Sequence, residues 1–517
     1  MRAKAAKFME RGADQPSEGG GAPVRLAALV RGVDVKTPPA QGDCAISGIA
    51  YDSRKVIPGS LFVAIPGEKT DGNNFVGEAI ARGAVAVASE QPRPPMFPAQ
   101  AVWLEVLRAR KALAILAANF FGRPAETLKL VGVTGTNGKT TISYLVDSIL
   151  GAAGRQAGLF GTIVHRIGPG QGQIEATRTT PESLDLQSFL AGVVRAGGTH
   201  AVLEASSHAL AMDRLWGCPF AVAVFSNLTR DHLDYHKTLD DYFAAKRRLF
   251  EGAGAPPPAA AVINTDDPYG KQLVGLAART LTYGLENGAD IKTRKPSLSM
   301  GGIEFTAETP AGRIEVRSRL VGRFNVYNVL AAIGAAVALE VPGEAISEGI
   351  ARLQSVPGRF ERIDAGQPFS VIVDYAHTDD ALRNLLSTAR ALNPAGRIIT
   401  LFGCGGDRDR SKRPLMGEAA GRASNIVVLT SDNPRSEDPL LIINDAIVGV
   451  QRTDAKCLVE ADRERAIEMA LDQARPGDIV LLAGKGHETY QILRDQTIAF
   501  DDRVVARRVL RRLGYGE

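Results

Sequence analysis

The stretch Thr134-Gly135-Thr136-Asn137-Gly138-Lys139-Thr140-Thr141 stands between the apolar run Leu128–Val133 and a helical pattern at Thr141–Leu150. An apolar run of this length predicts a buried strand, so the chain passes here from a strand through a tight loop into a helix. Glycines let backbone N–H groups face phosphate oxygens at a helix N-terminus, while Lys139 can reach terminal phosphates and Thr140 can ligate Mg²⁺. The stretch therefore predicts an α/β domain that binds the phosphates of a nucleotide.

The spacing of this loop differs from that of the common phosphate loop. The GxxxxGK[ST] pattern requires a glycine five residues before Gly138, and Val133 stands there. This disfavours a generic P-loop motor or GTPase. The alternative is a plain strand–turn–helix with chance glycines, although the Gly-Lys-Thr-Thr entry into a helix is hard to explain in that way.

Three more apolar runs in the middle of the chain each end in a polar cluster: Ala201–Glu204, Ala221–Phe225 and Ala260–Ile263. Short apolar runs that alternate with longer helical segments are typical of a mostly parallel sheet covered by helices. Ligands of such sheets bind beyond the carboxyl ends of the strands. The polar clusters of the chain hold five of its seven histidines, any one of which can still be purely structural: His208, His232, His236, His377 and His487.

The length of 517 residues exceeds one hydrophobic core, since a domain usually takes roughly 100–200 residues. We predict three α/β domains: a small N-terminal domain at 23–107, a central, mostly parallel-sheet ATPase domain at 108–356 with an antiparallel excursion around Ile291–Leu320, and a Rossmann-like domain at 357–517. Residues 1–22 are polar and rich in Gly and Ala, which predicts a loose tail. No repeat that would indicate a solenoid is visible.

The composition narrows the function classes. The net charge is +4 and no basic run suits nucleic acid. The four cysteines lack CxxC spacing, which favours a reducing cytoplasm. The N-terminus lacks the apolar core of a signal peptide, and the apolar stretches are too short for a membrane span. We expect a cytoplasmic protein, without nucleic acid or membrane partners, that works as a monomer.

Thr134–Thr141 resembles the ATP loop of the Mur ligases, which build the peptide of bacterial cell-wall precursors. Further blocks similar to this family run along nearly the whole chain: LEASSHAL around Glu204, Asn227–His236, Gly322–Asn328, Pro357–Glu361, Asp374–His377 and Gly403–Pro414. The resemblance implies an ATP-dependent, ADP-forming ligase. Such an enzyme activates a carboxylate as an acyl phosphate, which an amine then attacks.

The resemblance also assigns catalytic roles to four residues: Lys139, Glu204, His232 and Lys246. It implies Mg²⁺ ligation by Thr140, Glu204 and His232, and a CO₂-derived carbamate on Lys246 (N6-carboxylysine). Carbamylation requires a neutral amine and hence a lowered pKa; the alternative is a solvated helix lysine. Further ATP contacts are implied for a set of residues, some of which could instead be helix or strand caps: Asn264, Asp267, Asn325, Arg359 and Asp374.

The acceptor is indicated by Asp432-Asn433-Pro434-Arg435, which resembles the motif of the family member that adds meso-diaminopimelate. A guanidinium can pair with the carboxylate of its second amino-acid head, a group that lysine does not offer. Arg413 is a candidate second cation, and Gly484 with Glu488 could take the far ammonium. The alternative for Asp432–Arg435 is a surface turn.

The donor implied by the resemblance is UDP-N-acetylmuramoyl-L-alanyl-D-glutamate. Its candidate contacts are Ser53, Arg54, Thr179, Thr180, Ser206 and Arg214. Asp52–Arg54 could also be an exposed turn.

The sequence departs from the family pattern at Asp379, where proline is usual, at Asn73, where histidine is common, and at Met212, where some relatives have a polar donor contact. Two alternatives stay open at this point. One is another ligase of the superfamily, such as the one that adds a D-Ala-D-Ala dipeptide or a folate polyglutamating enzyme. The other is a nucleotide-dependent binding or scaffold protein that has lost its chemistry.

Overall fold

The computed structural model describes residues 22–36, 43–67, 70–168, 170, 172–286 and 288–516. The tail predicted for 1–22 lies outside the described residues, apart from Ala22. Among the described helices, none is both long and apolar enough to cross a bilayer.

The N-terminal domain is built on a four-stranded parallel sheet. Its strands, in spatial order, are Gly48–Ala50, Ser60–Val63, Ala86–Ser89 and Val102–Glu105, and a short antiparallel pair, Val24–Arg25 with Ala45–Ile46, precedes them. The helices are Leu26–Leu29, Val76–Ala81 and Ala109–Phe120, with 3₁₀ turns at Ser53–Lys55 and Gly72–Phe75.

The structure corrects the predicted domain boundary at 107/108. Leu113 and Leu116 of the helix Ala109–Phe120 are fully buried in one core with Leu61 and Leu104 of the N-terminal sheet. Because this helix supplies the cover of that sheet, the boundary falls after Phe121.

The central domain carries a 12-stranded sheet with a parallel middle. In spatial order the strands are Gln173–Glu175, Val164–Arg166, Ala157–Phe160, His200–Glu204, Lys129–Thr134, Phe220–Phe225, Ala260–Asn264, Arg279–Gly284, Ile291–Lys292, Gly302–Thr309 and Ser297–Ser299, with Gly312–Ser318 paired to Gly302–Thr309. The strands from Ala157–Phe160 to Ile291–Lys292 are parallel, and the others are antiparallel, which confirms the predicted excursion.

The burial of the strands explains why the middle of the sheet is parallel and its edges are antiparallel. Lys129–Thr134 is buried at every position after its first because helices cover both faces of the parallel part. Gly312–Ser318 instead alternates buried and exposed residues over most of its length, as an antiparallel strand with one wet face does. The helices are Pro124–Thr127, Lys139–Ala152, Ser183–Arg195, Ser207–Ala211, Leu233–His236, Leu239–Glu251, Pro268–Lys271, Arg323–Ala338 and Gly343–Arg352.

The C-terminal domain has a six-stranded sheet that is parallel except at its first edge. The order is Glu361–Ile363, Ser370–Asp374, Ile479–Ala483, Ile398–Phe402, Ile426–Leu429 and Lys456–Val459, and a separate hairpin joins Tyr490–Leu493 to Gln496–Ala499. The helices are Asp379–Leu392, Lys412–Ala423, Pro439–Val450, Arg463–Asp472 and Asp502–Arg512. The predicted three-domain α/β architecture is confirmed.

Candidate active site

The phosphate loop lies at the carboxyl end of the strand Lys129–Thr134, where its shape is fixed by neighbouring residues. The backbone N–H groups of Thr136 and Asn137 donate to Asn227, at 2.8 and 2.9 Å. Gly135 and Gly138 have positive φ angles of 146° and 89°. A Cβ atom at Gly135 would lie 1.9 Å from Ser226 Oγ, and one at Gly138 would lie 2.4 Å from Asn328 Oδ1. Both positions therefore require glycine for packing as well as for conformation.

Two lysines meet at one carbonyl of this loop. Lys139 Nζ donates to Gly135 O at 2.9 Å and to Thr136 O at 2.8 Å, and Lys246 Nζ donates to the same Gly135 O at 2.8 Å. Lys246 is only 1% exposed, so the alternative of a solvated helix lysine is wrong. Burial, together with the charge of Lys139, holds the pKa of Lys246 well below its ordinary value.

Hard oxygen ligands lie beside the loop. Glu204 is 1% exposed, and its two carboxylate oxygens accept from the backbone N–H and the hydroxyl of Thr162 at 2.9 and 2.8 Å. Thr140, Glu204 and His232 line the same cavity. Within the described ranges, no three His, Cys, Asp or Glu side chains gather closely enough to hold a metal alone. The residues present therefore fit Mg²⁺, which usually binds through one or two carboxylates together with substrate phosphates and water.

Several residues predicted to contact ATP make hydrogen bonds within the protein. Asn264 Nδ2 donates to Ser226 O, and Asp267 caps a short helix and accepts from Leu228 N. Asp374 accepts from the backbone N–H groups of Phe360 and Ala376. Asn264, Asp267 and Asp374 line the cavity that surrounds the phosphate loop, whereas Asn325 lies behind that cavity and bonds to Val321 O and Asn328.

The third domain reaches the phosphate loop directly. Arg359 donates to Thr140 Oγ1 at 3.3 Å. The carboxylate of Asp380 accepts from Asn137 Nδ2 of the loop and from Thr229 Oγ1, both at 3.1 Å. The nucleotide cavity is thus closed by residues of two domains.

Two cavities adjoin at this junction, one of about 600 Å³ around the phosphate loop and one of about 210 Å³ between the C-terminal domain and the segment around His232. Both are lined by Asp231, His232, Tyr375 and His377. A group bound in the smaller cavity can therefore approach one bound beside the phosphate loop. We call them the ATP cavity and the acceptor cavity.

The acceptor cavity collects most of the predicted acceptor residues. Asp432, Asn433, Arg435, Gly484 and Glu488 line it. Asp432 and Asn433 are 8% and 4% exposed, so the alternative of a surface turn is wrong for them. Arg435 Nη1 donates to Gly406 O at 2.6 Å, which fixes the guanidinium.

Arg413 and Pro434 lie behind the cavity wall. Arg413 is 1% exposed and pairs with Glu437 at 2.7 Å and Asp445 at 3.0 Å, so its charge is already compensated. Arg408 of the same GDRDRSKRP segment lines the cavity instead. The sequence analysis missed Arg408 because three arginines in one loop cannot be distinguished before the loop is folded.

The predicted donor residues lie on facing parts of the first two domains. Thr180 Oγ1 donates to Glu204 O at 2.6 Å and contacts Ser206 Oγ at 3.1 Å. Thr179 accepts from Thr162. Ser53 bonds to Glu78, and Arg54 pairs with Asp52 and is 80% exposed. Close by, Tyr51 of this segment donates to Asp185 of the central domain at 2.6 Å.

Arg214 belongs to a cationic cluster that the sequence did not reveal. Arg110, Arg178 and Arg214 surround the buried carboxylate of Glu182, at 3.4, 3.2 and 2.8 Å. Three guanidiniums on one carboxylate leave an excess of positive charge next to Thr180, which suits an anionic substrate. The cluster joins three distant segments, so no local motif could indicate it.

The fold and this site define an ATP-dependent ligase whose phosphate loop lies at a junction between two domains. Three family descriptions match the chain in order: "Mur ligase family, catalytic domain" at residues 45–121, "Mur ligase middle domain" at 133–336 and "Mur ligase, glutamate ligase domain" at 358–486. The chain belongs to the Mur ligase family, whose members depend on ATP and use Mg²⁺.

Curated relatives match over nearly the full length. The chain is 55% identical to the UDP-N-acetylmuramoyl-L-alanyl-D-glutamate--2,6-diaminopimelate ligase of Solibacter usitatus, over 95% of this chain and 99% of that protein. It is 48% identical to the ligase of the same name from Synechococcus elongatus, over 90% and 94% of the two chains.

Solved structures support the same family assignment. A structure with this ligase name is 35% identical and aligns with a TM-score of 0.64, over 95% of this chain and all (100%) of that one. The fold is also similar, at 21% identity and a TM-score of 0.61, to a D-alanyl-D-alanyl-adding ligase from Acinetobacter baumannii, over 90% of this chain and 96% of that one.

Proposed function

We propose that this enzyme joins meso-diaminopimelate to UDP-N-acetylmuramoyl-L-alanyl-D-glutamate, with hydrolysis of ATP to ADP and phosphate. The observation that carries the proposal is the acceptor cavity, where the guanidinium of Arg435 and the carboxylates of Asp432 and Glu488 line one enclosed space. These groups suit the carboxylate and the ammonium of an amino-acid head. The names of the full-length relatives support the same substrates.

The geometry supports a two-step reaction. The donor carboxylate takes the γ-phosphoryl group of ATP and ADP leaves, and then the acceptor amine attacks the acyl carbon, phosphate leaves and the amine loses a proton. Lys139 lies in the phosphate loop, where it can offset the charge of the terminal phosphates. The donor carboxylate would stand near Thr180 and Ser206, beside the cationic cluster. Mg²⁺, when held by Thr140 and Glu204 together with ATP, would neutralise charge on the transferred group.

We further propose that Lys246 carries a carbamate. Formation of a carbamate consumes a neutral amine and CO₂, and the buried position of Lys246 beside Lys139 favours the neutral form. The product is an anion in place of a second buried cation, which relieves the repulsion between the two ammonium groups. His232, which lines both cavities, would complete the surroundings of the metal.

Phosphate release and the mass of the peptide product test the proposed substrates. We expect turnover only when ATP, the UDP-dipeptide and meso-diaminopimelate are all present, and a product that is heavier by one diaminopimelate residue. Equal turnover with L-lysine would refute the acceptor assignment. Tight ATP binding without turnover of any acceptor would favour the scaffold alternative.

A cytoplasmic location and a monomeric state belong to the same proposal. All four cysteines are free, and Cys218 and Cys404 are buried, which suits a reducing compartment. Light scattering of the purified protein in the presence of ATP checks the monomer, and a dimer mass would contradict it.

A further inference from the structure

One wall of the acceptor cavity is backed by a lysine that does not itself line the cavity. The side chain of Lys485 is 0% exposed and stands between two carboxylates that do line it. Its Nζ donates to Glu488 Oε2 at 2.9 Å and to Asn433 Oδ1 at 3.3 Å, and it lies 3.6 Å from Asp432 Oδ1. Lys485 is therefore the shared counter-ion of Asp432 and Glu488.

Both carboxylates keep an oxygen that the protein does not satisfy. Asn433 Nδ2 also donates to Glu488 Oε2, at 2.9 Å, so two donors converge on that atom. No hydrogen bond from the described residues reaches Glu488 Oε1. Asp432 Oδ1 is buried and, within the described ranges, accepts no hydrogen bond. Buried polar atoms without partners are rare, so Asp432 Oδ1 is suited to a donor that arrives with a ligand. Glu488 Oε1, on a residue that lines the same cavity, can accept from the same ligand.

Arg463, a second buried cation near this wall, is already compensated, as Arg413 is. Arg463 makes two hydrogen bonds to the carboxylate of Asp502, at 2.8 and 2.6 Å, and both side chains are 0% exposed. Its remaining bonds go to the carbonyls of Ser431 and Ala483. Arg463 thus holds the strand ends in place, whereas Lys485 is the buried cation that directly contacts both wall carboxylates.

The net charge of the cavity wall determines which charged groups of an acceptor it can bind. Asp432, Glu488 and Lys485 together carry one net negative charge, and the cationic side of the cavity, with Arg435, faces the same space. This distribution matches a head with one ammonium and one carboxylate. Without Lys485 the wall would carry two negative charges, which suits a ligand with an ammonium and no carboxylate.

We propose that Lys485 is a positioning residue that sets the charge and the orientation of the acceptor-cavity wall, and thereby selects an acceptor with a zwitterionic far end over one with a lone ammonium. This inference rests on the proposed function and adds a determinant of acceptor specificity to it. The side chain acts through Asp432, Asn433 and Glu488 and does not touch the acceptor.

Steady-state kinetics of full-length Lys485→Met and Lys485→Gln test the inference, with meso-diaminopimelate and L-lysine as alternative acceptors. We expect KM for diaminopimelate to rise at least about tenfold, because removal of one partner of a buried charge pair weakens binding strongly. The affinity for L-lysine, measured by turnover or by competition, should improve relative to diaminopimelate. KM for ATP should stay nearly constant, and Lys485→Arg, which keeps the charge, should retain the selectivity.

Lys456→Met is the matched control, since Lys456 is an exposed lysine on an edge strand of the same domain. Thermal unfolding shows which variants fold. Lys485→Gln, which keeps a polar hydrogen-bond donor, serves as the neutral variant if Lys485→Met does not fold. A folded neutral variant with unchanged selectivity would overturn the inference. So would an equal loss for ATP and for both acceptors, which indicates a purely structural role. Absence of diaminopimelate turnover by the unmodified enzyme would instead refute the proposed function.

Discussion

The helices Arg463–Asp472 and Asp502–Arg512 are joined by ion pairs of very different exposure, which allows a controlled test of burial. Arg463–Asp502 has both side chains 0% exposed, whereas Arg508–Glu464 has side chains 58% and 43% exposed. Asp502→Asn keeps the size of the side chain but leaves the Arg463 guanidinium buried without a counter-charge. Glu464→Gln removes the same charge from the exposed pair.

The expected magnitudes differ clearly. Breaking a buried pair by removing one partner costs about 3–5 kcal/mol, whereas an exposed pair contributes about 1 kcal/mol or less. Asp502 and Glu464 both stand in the first turn of their helices, so the loss of the favourable helix-dipole interaction is similar in the two variants. At about 2–4 °C per kcal/mol for a domain of this size, Asp502→Asn should lower the transition of the C-terminal domain by about 6–20 °C.

Differential scanning calorimetry measures the unfolding transition of both variants under the same conditions. Because Arg463 also donates to the carbonyls of Ser431 and Ala483, at 3.3 and 3.0 Å, Asp502→Asn should raise KM for the acceptor more than KM for ATP. The reasoning is refuted if Asp502→Asn and Glu464→Gln shift the transition equally.

Three further outcomes are expected. Arg435→Ala should raise the acceptor KM about 10- to 100-fold through loss of a charged hydrogen bond with little change in the KM for ATP, and unchanged acceptor kinetics would contradict its assignment. Asp380→Ala should raise the KM for ATP about 5- to 50-fold, because its hydrogen bonds to Asn137 and Thr229 across the domain junction are lost. A variant that is less stable but has an unchanged KM for ATP would show that these bonds do not support nucleotide binding. Lys246→Met should lower kcat about 100-fold or more. Removal of CO₂ should slow the unmodified enzyme but not this variant. If both enzymes respond equally to CO₂, Lys246 carries no carbamate.

The parts of the fold that were predictable from the sequence are those with strong local patterns. Leu128–Val133 and Ala260–Ile263 are found as strands within one residue at each end, because buried parallel strands are continuous apolar runs. The edge strands Glu361–Ile363 and Lys456–Val459 were missed, since they are partly exposed and carry charged residues. The helix Ala109–Phe120 packs on the N-terminal sheet, whereas the sequence analysis placed residue 108 onward in the central domain, because the sequence does not show which sheet an apolar helix face will cover.

The site was predictable where ligands follow strand ends and unpredictable where residues meet across the fold. The prediction that Asp432, Asn433 and Glu488 serve the acceptor stays untested, but the structure brings all three into one cavity. Lys485 was overlooked because two of its three partners, Asp432 and Asn433, come from another strand end. The same reason applies to Arg110 and Arg178, which share the carboxylate of Glu182 only after folding.

The packing of Gly135 and Gly138 against Ser226 and Asn328 bears on attempts to engineer nucleotide preference. A library that varies only the two loop positions will return inactive clones whatever triphosphate is offered, since any new side chain collides with a neighbouring residue before a nucleotide enters. Smaller residues at positions 226 and 328 would remove the collisions but not the strain, because both glycines have positive φ angles that other residues rarely adopt. Both glycines should therefore be kept in any redesign, and the variation belongs to residues that surround the loop.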